Sequence, residues 1–377
     1  MGFTGVGRYV EQLIVGLGPR QVEWSIITNR FAELLNSSDT LRGNSSLPPI
    51  LTGGKHKWPT FWWLDQSFPG LAMYARAQLA HFPTGRAPSH CPLRYVLTVH
   101  DLTILEQRKL YPFLERLLVA PRLHRSIQHA AAIIAVSHDT ADALARRYSG
   151  LSCPVHVIHE AVAQEFFESA KRKPAQAESA QRRVIAHIRA EYGLDQRFWL
   201  HVGSITTRKN LARLVDAFAI ARQCVTGEPP QLVLAGPAGD AIDAVRARIK
   251  VHGLGDAVKV TGYVPADHLP SLYQMAELVV VPSLHEGFGF PALEAMASGT
   301  PVVSSGRGAL AEVAGDAAYV VDPENVEHLA GAIVRVAVDD ELRTIMIRRG
   351  MDRAAQFTVE RMARSTLTVY RSVISSA

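Results

Sequence analysis

The segment of residues 281 to 305 constrains the fold more than any other stretch of the chain. Its sequence is VPSLHEGFGFPALEAMASGTPVVSS, in which a glycine-rich turn leads directly into a run of strong helix formers. Pro291 suits the first position of a helix, because the amide hydrogen that proline lacks has no partner there in any case. Gly299 and Pro301 end the helix, and Val302 and Val303 predict a short buried strand after it.

The start of this predicted helix also points to a ligand. Gly287 and Gly289 let the backbone approach a bound group closely, and the exposed amides of the first helical turn favour an anion such as a phosphate. Glu286 and Glu294 lie eight positions apart across the turn. Either glutamate alone has a structural explanation, Glu294 as a partner of the helix dipole and Glu286 as a capping or loop contact. Together they favour a binding site.

Along the whole chain, short β-branched runs alternate with amphipathic helices, which predicts parallel sheets covered by helices. Because 377 residues exceed what one hydrophobic core usually supports, two doubly wound α/β domains are expected. Ligands of such sheets bind beyond the carboxyl ends of the strands, so the domains are expected to face each other across a cleft. The predicted strands are 24–28, 80–82, 95–99, 132–136, 155–158, 198–202, 231–235, 258–261, 278–281 and 301–304.

A charged stretch without a candidate strand, residues 170 to 190, marks the change of domain. We expect a first domain over residues 1–168, a linker with a lead-in helix over 169–196, and a second domain over 197–356. The remaining residues, 357–377, are predicted to form a helix that packs back toward the first domain.

The pattern EGFGFPALEAMASGTPVV, which begins at Glu286, resembles the signature of retaining, family 4 type nucleotide-sugar glycosyltransferases, which have the GT-B fold. Three further segments are similar to that family: Gly203-Ser204 with Arg208-Lys209-Asn210, the turn 260–265, and the C-terminal run FTVERMARSTLTVYRSV. The similarity covers nearly the whole chain and is strongest from about residue 198. It implies two Rossmann-like domains, with the nucleotide sugar on the second and the acceptor mainly on the first.

The resemblance also implies the roles of individual residues. The implied catalytic residues are Glu286, His100, Arg208 and Lys209, and the implied donor-binding residues are Glu294, Gly203, Ser204, Tyr263, Val264, Phe288, Gly289, Phe290, Gly5 and Gly7. Arg208 and Lys209 follow a predicted strand, where a diphosphate could lie, and cations at a helix start are unfavourable without an anion. The alternative is a solvated charge pair. In the resemblance, Glu294 accepts hydrogen bonds from the ribose hydroxyls and Glu286 faces the transferred sugar.

The first domain offers weaker candidates. His100 ends the apolar strand YVLTVHD and is implied to lie near the reacting sugar, although a histidine at a strand end is often only hydrogen-bonded. Ser137 matches a strand-end serine of the family and equally suits a helix N-cap. Gly5 and Gly7 form a candidate phosphate or acceptor loop, a weak signal without a preceding strand. The tryptophans of residues 58–63 suit either an apolar acceptor or core packing.

One departure from the family concerns the start of the chain. Members begin with a strand before the glycine-rich loop, whereas here Gly5 follows the first methionine almost at once. A truncated reading frame is the favoured explanation. An unfilled position or weakened packing is then expected beside the strand 95–99. The residues His159-Glu160-Ala161 also replace an Asn-Gly of the family pattern, which leaves the geometry of that turn open.

Composition limits the other possibilities. The net charge of +5 and pI of about 9.1 are mildly basic, yet no basic stripe interleaved with aromatics appears, so nucleic acid is not an expected partner. The three cysteines have no metal-binding spacing. Neither a signal peptide nor a membrane-spanning run is recognisable, which predicts a cytoplasmic protein, with at most a peripheral contact at the inner face of a membrane.

The expected activity is that of a retaining, metal-independent hexosyltransferase. By resemblance to bacterial mannosyltransferases of polysaccharide synthesis, the leading donor is GDP-mannose and the acceptor is a glycan or a lipid-linked sugar. No cofactor is expected beyond the nucleoside diphosphate sugar. Asp339-Asp340, the one acidic pair considered for a metal, is typical of a helix start. Two alternatives stay open, a noncatalytic nucleotide-sugar-binding protein and another GT-B enzyme such as a sugar-nucleotide epimerase. The oligomeric state does not follow from the sequence.

Overall fold

A computed structural model describes residues 5–18, 25–27, 50–51, 60–106, 113–171 and 179–376 of the chain. The strands, numbered in chain order, are β1 Ile26–Ile27, β2 Ile50–Leu51, β3 Ala80–Phe82, β4 Tyr95–Val99, β5 Ala132–Ala135, β6 Val155–Val157, β7 Phe198–Val202, β8 Gln231–Ala235, β9 Val258–Gly262, β10 Leu278–Val281, β11 Val302–Ser304 and β12 Tyr319–Val320. All strand pairs are parallel, which confirms the predicted α/β class.

Helices connect these strands, as parallel pairing requires. The α-helices are Gly5–Leu17, Thr60–Tyr74, Thr103–Glu106, Phe113–Gln128, His138–Arg147, Gln164–Lys171, Ser179–Tyr192, Leu211–Cys224, Ile242–Val251, Leu269–Met275, Phe290–Ala297, Ala309–Ala314, Val326–Val338, Asp340–Ala354 and Val359–Ser375. Short 3-10 helices cover Thr207–Lys209 and Gly315–Ala317. Among the described helices, none is both long and apolar enough to cross a bilayer.

The chain divides into two compact units. The first consists of residues up to Ala161 together with Thr358–Ala377, and the second is Val162–Phe357. The division therefore falls at residues 161 and 357, whereas the sequence suggested 168 and 356. The region predicted as a linker contains the helices Gln164–Lys171 and Ser179–Tyr192, both in the second unit, and residues 172–178 lie outside the described residues.

The second unit is built on a six-stranded sheet with the order β12-β11-β10-β7-β8-β9. Its central strands β7, β10 and β8 are buried along their whole length, which explains their nearly continuous apolar sequences. The change of direction in strand order lies between β7 and β10. That is where the carboxyl ends of a doubly wound sheet leave room for a ligand.

The first unit contains a four-stranded sheet, β3-β4-β5-β6, and a separate two-stranded sheet, β1-β2. The expectation of an unfilled position beside residues 95–99 is wrong. Strand β4 pairs with β3 on one side, in the register Ala80↔Tyr95, and with β5 on the other, and all five of its residues are buried. The three-residue run Ala80–Phe82 supplies the neighbour that was expected to be absent.

The C-terminal helix Val359–Ser375 packs on the helix Gly5–Leu17, within the first unit. At the closest point there is no room for a side chain on Gly16, because a Cβ there would lie 2.8 Å from Ala363 and from Val359. A chain of polar side chains reinforces the contact, with Tyr9 and Thr98 buried and His81 and Tyr370 partly buried. His81 lies 2.6 Å from the Tyr370 hydroxyl through Nδ1 and 2.8 Å from Thr98 Oγ1 through Nε2, and the Tyr9 hydroxyl lies 3.0 Å from the same Thr98 oxygen.

Replacing Tyr370 with phenylalanine is expected to lower the free energy of unfolding by about 1–2 kcal/mol, because Nδ1 of His81 loses its hydrogen-bond partner at a partly buried site. Urea denaturation measures the change. Tyr74→Phe is the matched control, since Tyr74 is 79% exposed and loses only a solvated hydroxyl. Equal stability of the two variants would contradict this account of the helix contact.

Candidate active site

The loop after β7 packs closely against the loop after β8, backbone against backbone. Gly203 continues β7 by donating its amide to the carbonyl of Ala235 at 2.9 Å, and Ile205 donates to Pro237 at 3.0 Å. A Cβ on Gly236 would lie only 2.1 Å from the Gly203 oxygen, so only glycine fits there. This close packing fixes the path of residues 203–206 and carries the chain into the 3-10 turn Thr207–Lys209.

Arg208 and Lys209, at the end of that loop, hold the carboxylate of Glu286. Arg208 Nη1 donates to Glu286 Oε2 at 2.5 Å and to the His285 carbonyl at 2.7 Å. Lys209 Nζ donates to Glu286 Oε1, and the Ser283 hydroxyl donates to the same oxygen at 2.6 Å. Three of the residues implied to be catalytic therefore meet at the carboxyl ends of β7 and β10.

The charges of this cluster explain its ionisation. Burial alone would raise the pKa of Glu286, but the positive charges of Lys209 and Arg208 outweigh it and hold that pKa well below its usual range. Burial lowers the pKa of Lys209, and Glu286 opposes the change. The carboxylate is thus ionised at neutral pH and balanced by two cations. An anion entering the site would compete with Glu286 for the same two side chains.

The glycine-rich turn after Glu286 begins the helix Phe290–Ala297 as predicted. Its N-cap, Gly289, has φ +114, and a Cβ there would lie 2.7 Å from Leu310, so both conformation and space require glycine. Phe288 and Phe290, two predicted donor-binding residues, lie on either side of Gly289. Both rings are buried and stack edge to face at 5.4 Å, so they anchor the turn, and donor binding at these two positions stays a prediction.

Glu294 is buried inside the second unit, 1% exposed, and accepts a hydrogen bond of 2.9 Å from the Tyr273 hydroxyl. Tyr273 belongs to the helix Leu269–Met275, so this helix fixes the position of the Glu294 carboxylate. Tyr263, another predicted donor contact, follows β9 and is half exposed, whereas its neighbour Val264 is buried. Ser204 lies in the loop after β7, where its carbonyl accepts from the Thr206 amide at 2.9 Å.

His100 belongs to the first unit, and both nitrogens of its ring have partners. Nε2 lies 2.8 Å from the Pro83 carbonyl, which can only accept, so Nε2 carries a hydrogen. Nδ1 lies 2.7 Å from Oε1 of the buried Glu160. This arrangement favours the alternative interpretation of a hydrogen-bonded strand-end histidine, and a catalytic role for His100 stays a prediction.

The bond between His100 and Glu160 needs a shared proton. Burial alone would lower the pKa of His100, but its hydrogen bond to Glu160 outweighs this and raises it. Burial also raises the pKa of Glu160, against the effect of His100. Both shifts favour keeping a proton on the pair at neutral pH. The departure from the family pattern at residues 159–161 therefore supplies the partner that fixes the His100 ring.

The structure shows where the other predicted residues of the first unit lie, and any binding role of Gly5 and Gly7 stays a prediction. Gly5 and Gly7 were expected in a loop, but they lie in the first turns of the helix Gly5–Leu17. Ser137 is an N-cap whose hydroxyl accepts from the Thr140 amide at 3.1 Å, as the alternative predicted. Of the tryptophans, Trp63 is buried and Trp62 is half exposed, and Trp58 lies outside the described residues.

Metal ligands were not expected in the site. Asp339 caps the helix Asp340–Ala354 by accepting from the Leu342 amide at 2.9 Å. Within the described part of the second unit, one group could hold an ion: His187, Glu191 and His268, whose ligand atoms lie within 4.8 Å of one another on its surface. It shares no residue with the cluster around Glu286.

Sequence reasoning missed three residues of the second unit's site: Ser283, Tyr273 and His201. His201 precedes Gly203, is fully buried, and places Nδ1 2.9 Å from the Val280 carbonyl of β10. The signal for His201 was available, since a histidine inside the apolar run Phe198–Val202 has to find a polar partner in the interior. Tyr273 gave no comparable signal, because its helix looks like ordinary core packing.

Two family models match the chain. The model described as "Glycosyltransferase Family 4" matches residues 3–166, and "Glycosyl transferases group 1" matches residues 185–353. Among curated relatives, O-antigen chain mannosyltransferase B of Escherichia coli is 30% identical over 279 residues, which are 74% of this chain and 70% of the relative. D-inositol 3-phosphate glycosyltransferase of Salinispora arenicola is 29% identical over 66% of this chain, and the match spans 56% of that relative's length.

Solved structures agree on the fold. HepE from Anabaena in complex with UDP-glucose superposes with a TM-score of 0.74 at 20% identity, covering 99% of this chain and 97% of HepE. WaaG, a glycosyltransferase involved in lipopolysaccharide biosynthesis, gives a TM-score of 0.71 at 16% identity and covers 98% of this chain and 96% of its own. Family models, relatives and fold together show that this chain is a glycosyltransferase that belongs to family 4 and has the GT-B fold of two Rossmann-like domains.

Proposed function

We propose that the chain is a retaining hexosyltransferase that needs no metal ion. It moves mannose from GDP-mannose to a glycan or lipid-linked acceptor during the synthesis of a surface polysaccharide. The observation that carries the proposal is the cluster of Arg208, Lys209 and Glu286 at the carboxyl ends of β7 and β10.

The chemistry of glycosyl transfer explains why such a cluster is useful. The bond from the sugar to the diphosphate breaks through an oxocarbenium-like state, while negative charge grows on the leaving group. Arg208 and Lys209 supply two positive charges for that diphosphate, in place of a metal. As they turn from Glu286 to the phosphate oxygens, the Glu286 carboxylate becomes available to accept hydrogen bonds from hydroxyls of the transferred sugar.

Retention of configuration is proposed to follow from transfer on one face of the sugar. The acceptor hydroxyl then enters on the side from which the diphosphate leaves, and a phosphate oxygen of the donor takes its proton. Glu286 is assigned to the hydroxyls of the transferred sugar in the donor complex, so it is not proposed as a covalent nucleophile. A front-face reaction needs no such nucleophile.

Relatives support the choice of sugar and acceptor. Two relatives from Escherichia coli are named O-antigen chain mannosyltransferase B and serotype-specific mannosyltransferase WbdA. Solved structures of HepE contain UDP, alone, with glucose, or as UDP-glucose, which supports a nucleoside diphosphate sugar as the class of donor. Mannose and GDP are proposed because the named mannosyltransferases align with most of this chain.

Lys209→Met is expected to lower kcat/KM by roughly 100-fold to 1,000-fold, because it removes one of the two charges that stabilise the leaving group. Transfer of radiolabelled sugar to acceptor measures the loss. Lys250→Met removes an exposed lysine from the same unit and serves as the matched control, with activity expected to stay unchanged. If the Lys209→Met variant keeps the kcat/KM of the wild type, the proposed role of the cluster is ruled out.

GDP-mannose is expected to raise the melting temperature more than UDP-glucose or ADP-glucose at equal concentration. A ligand at 100 times its Kd stabilises the folded state by about 2.7 kcal/mol. Thermal-shift measurements on the full chain rank the donors, and NMR of the product then assigns the anomeric configuration. A product of inverted configuration, or stabilisation by none of the three donors, would overturn the corresponding part of the proposal.

Activity is expected to persist at its full level in the presence of excess EDTA, because cationic side chains rather than an ion face the diphosphate. Initial rates with EDTA and with added Mg²⁺ or Mn²⁺ provide the comparison. A rate that falls at least tenfold with the chelator and returns with one of the ions would show that the reaction depends on metal.

A further inference from the structure

His201 lies at the end of β7, fully buried, and its ring is held in one tautomer. Nδ1 lies 2.9 Å from the Val280 carbonyl, and because that oxygen can only accept, Nδ1 carries the hydrogen. In the neutral ring, Nε2 therefore presents a lone pair. Nε2 is buried and has no hydrogen-bond partner among the described residues.

A buried polar atom without a hydrogen-bond partner is unfavourable, so its position needs a reason. Nε2 lies close to Lys209, which belongs to the cluster of Arg208, Lys209 and Glu286. A Cβ built on Gly203 would lie 3.3 Å from Nε2, 3.3 Å from Lys209 Cε and 3.5 Å from Lys209 Nζ. The imidazole nitrogen and the ammonium group thus both border the small space that glycine at position 203 leaves open.

Burial, together with the charge of Lys209, keeps His201 neutral. Burial and the positive charge of Lys209 lower the pKa of His201 to about 4, with Glu286 acting weakly in the other direction. Arg208 and Glu286 complete the set of charged groups of this cluster. A neutral acceptor differs from a second carboxylate in one important respect. It can orient an ammonium group by a hydrogen bond without cancelling the charge that a phosphate needs.

We propose that His201 is a positioning residue of the diphosphate site: its Nε2 accepts a hydrogen bond from Lys209 Nζ when Lys209 turns from Glu286 to the diphosphate of the donor. An ammonium group has three donor hydrogens, so it can bind His201 and phosphate oxygens at once. This inference rests on the proposed function, because it requires a diphosphate ligand at Arg208 and Lys209.

Two substitutions of His201 test the contributions of its two ring nitrogens separately. In His201→Asn, an amide N–H stands close to the position of Nδ1 and can still donate to Val280, but no acceptor reaches the position of Nε2. In His201→Gln, the longer side chain brings an amide oxygen to the position of Nε2. Calorimetric titration with GDP, UDP and GMP gives the Kd values, and thermal melts show that each variant is folded.

The Kd of the diphosphate that the wild type binds is expected to rise about tenfold in His201→Asn and to stay within about threefold of wild type in His201→Gln. The Kd of GMP should change little in either. In a Lys209→Met background, His201→Asn should have no further effect on the diphosphate, because the effect of His201 passes through Lys209.

The outcomes distinguish this inference from the proposed function. Wild-type protein that binds neither GDP nor UDP would overturn both. Wild-type protein that binds a diphosphate, together with a His201→Asn variant of equal affinity, would overturn the role of His201 alone. Equal losses for diphosphate and GMP, or an undiminished effect of His201→Asn in the Lys209→Met background, would reduce His201 to a structural residue.

Discussion

The buried carboxylate of Glu286 is the group on which the rest of the site depends. A single buried charge would be costly, and it is tolerated here because Lys209 and Arg208 reach it from the end of a neighbouring strand. Their backbone positions in turn require the tight glycine contacts between the loops after β7 and β8. The same ion pairs join the two sequence segments that resemble the family most closely. The residues that stabilise the site are therefore also those that carry the resemblance.

Most of the second unit could be predicted from the sequence because its strands are continuous apolar runs. The runs of β7, β8 and β10 have the predicted ends, since a strand that is buried on both faces leaves its signature in every residue. Short edge elements carry no such signature. The two-residue strand Ile50–Leu51 and the strand Tyr319–Val320 were missed for that reason.

The site was predicted less completely than the fold, and the reason is again physical. The charged residues that meet at Glu286 belong to recognisable sequence motifs, whereas the neutral residues that hold them in place belong to no motif. Tyr273 and Ser283 each contribute a single hydroxyl group, and both residues are also buried in the core of the second unit. The sequence also does not show that the rings of Phe288 and Phe290 pack into the interior, because an aromatic residue beside a ligand loop has the same sequence signal whether it faces the ligand or the core.

The helix Val359–Ser375 has a consequence for how the protein is made. It belongs to the first unit, where Gly16 lies directly against Ala363 and Val359, although the entire second unit lies between them in the chain. During synthesis the first unit therefore emerges from the ribosome without one of its helices and waits for nearly 200 residues of the second to follow. Until then the apolar face of the helix Gly5–Leu17 stays exposed, and the first unit completes its fold only after the second has been synthesised.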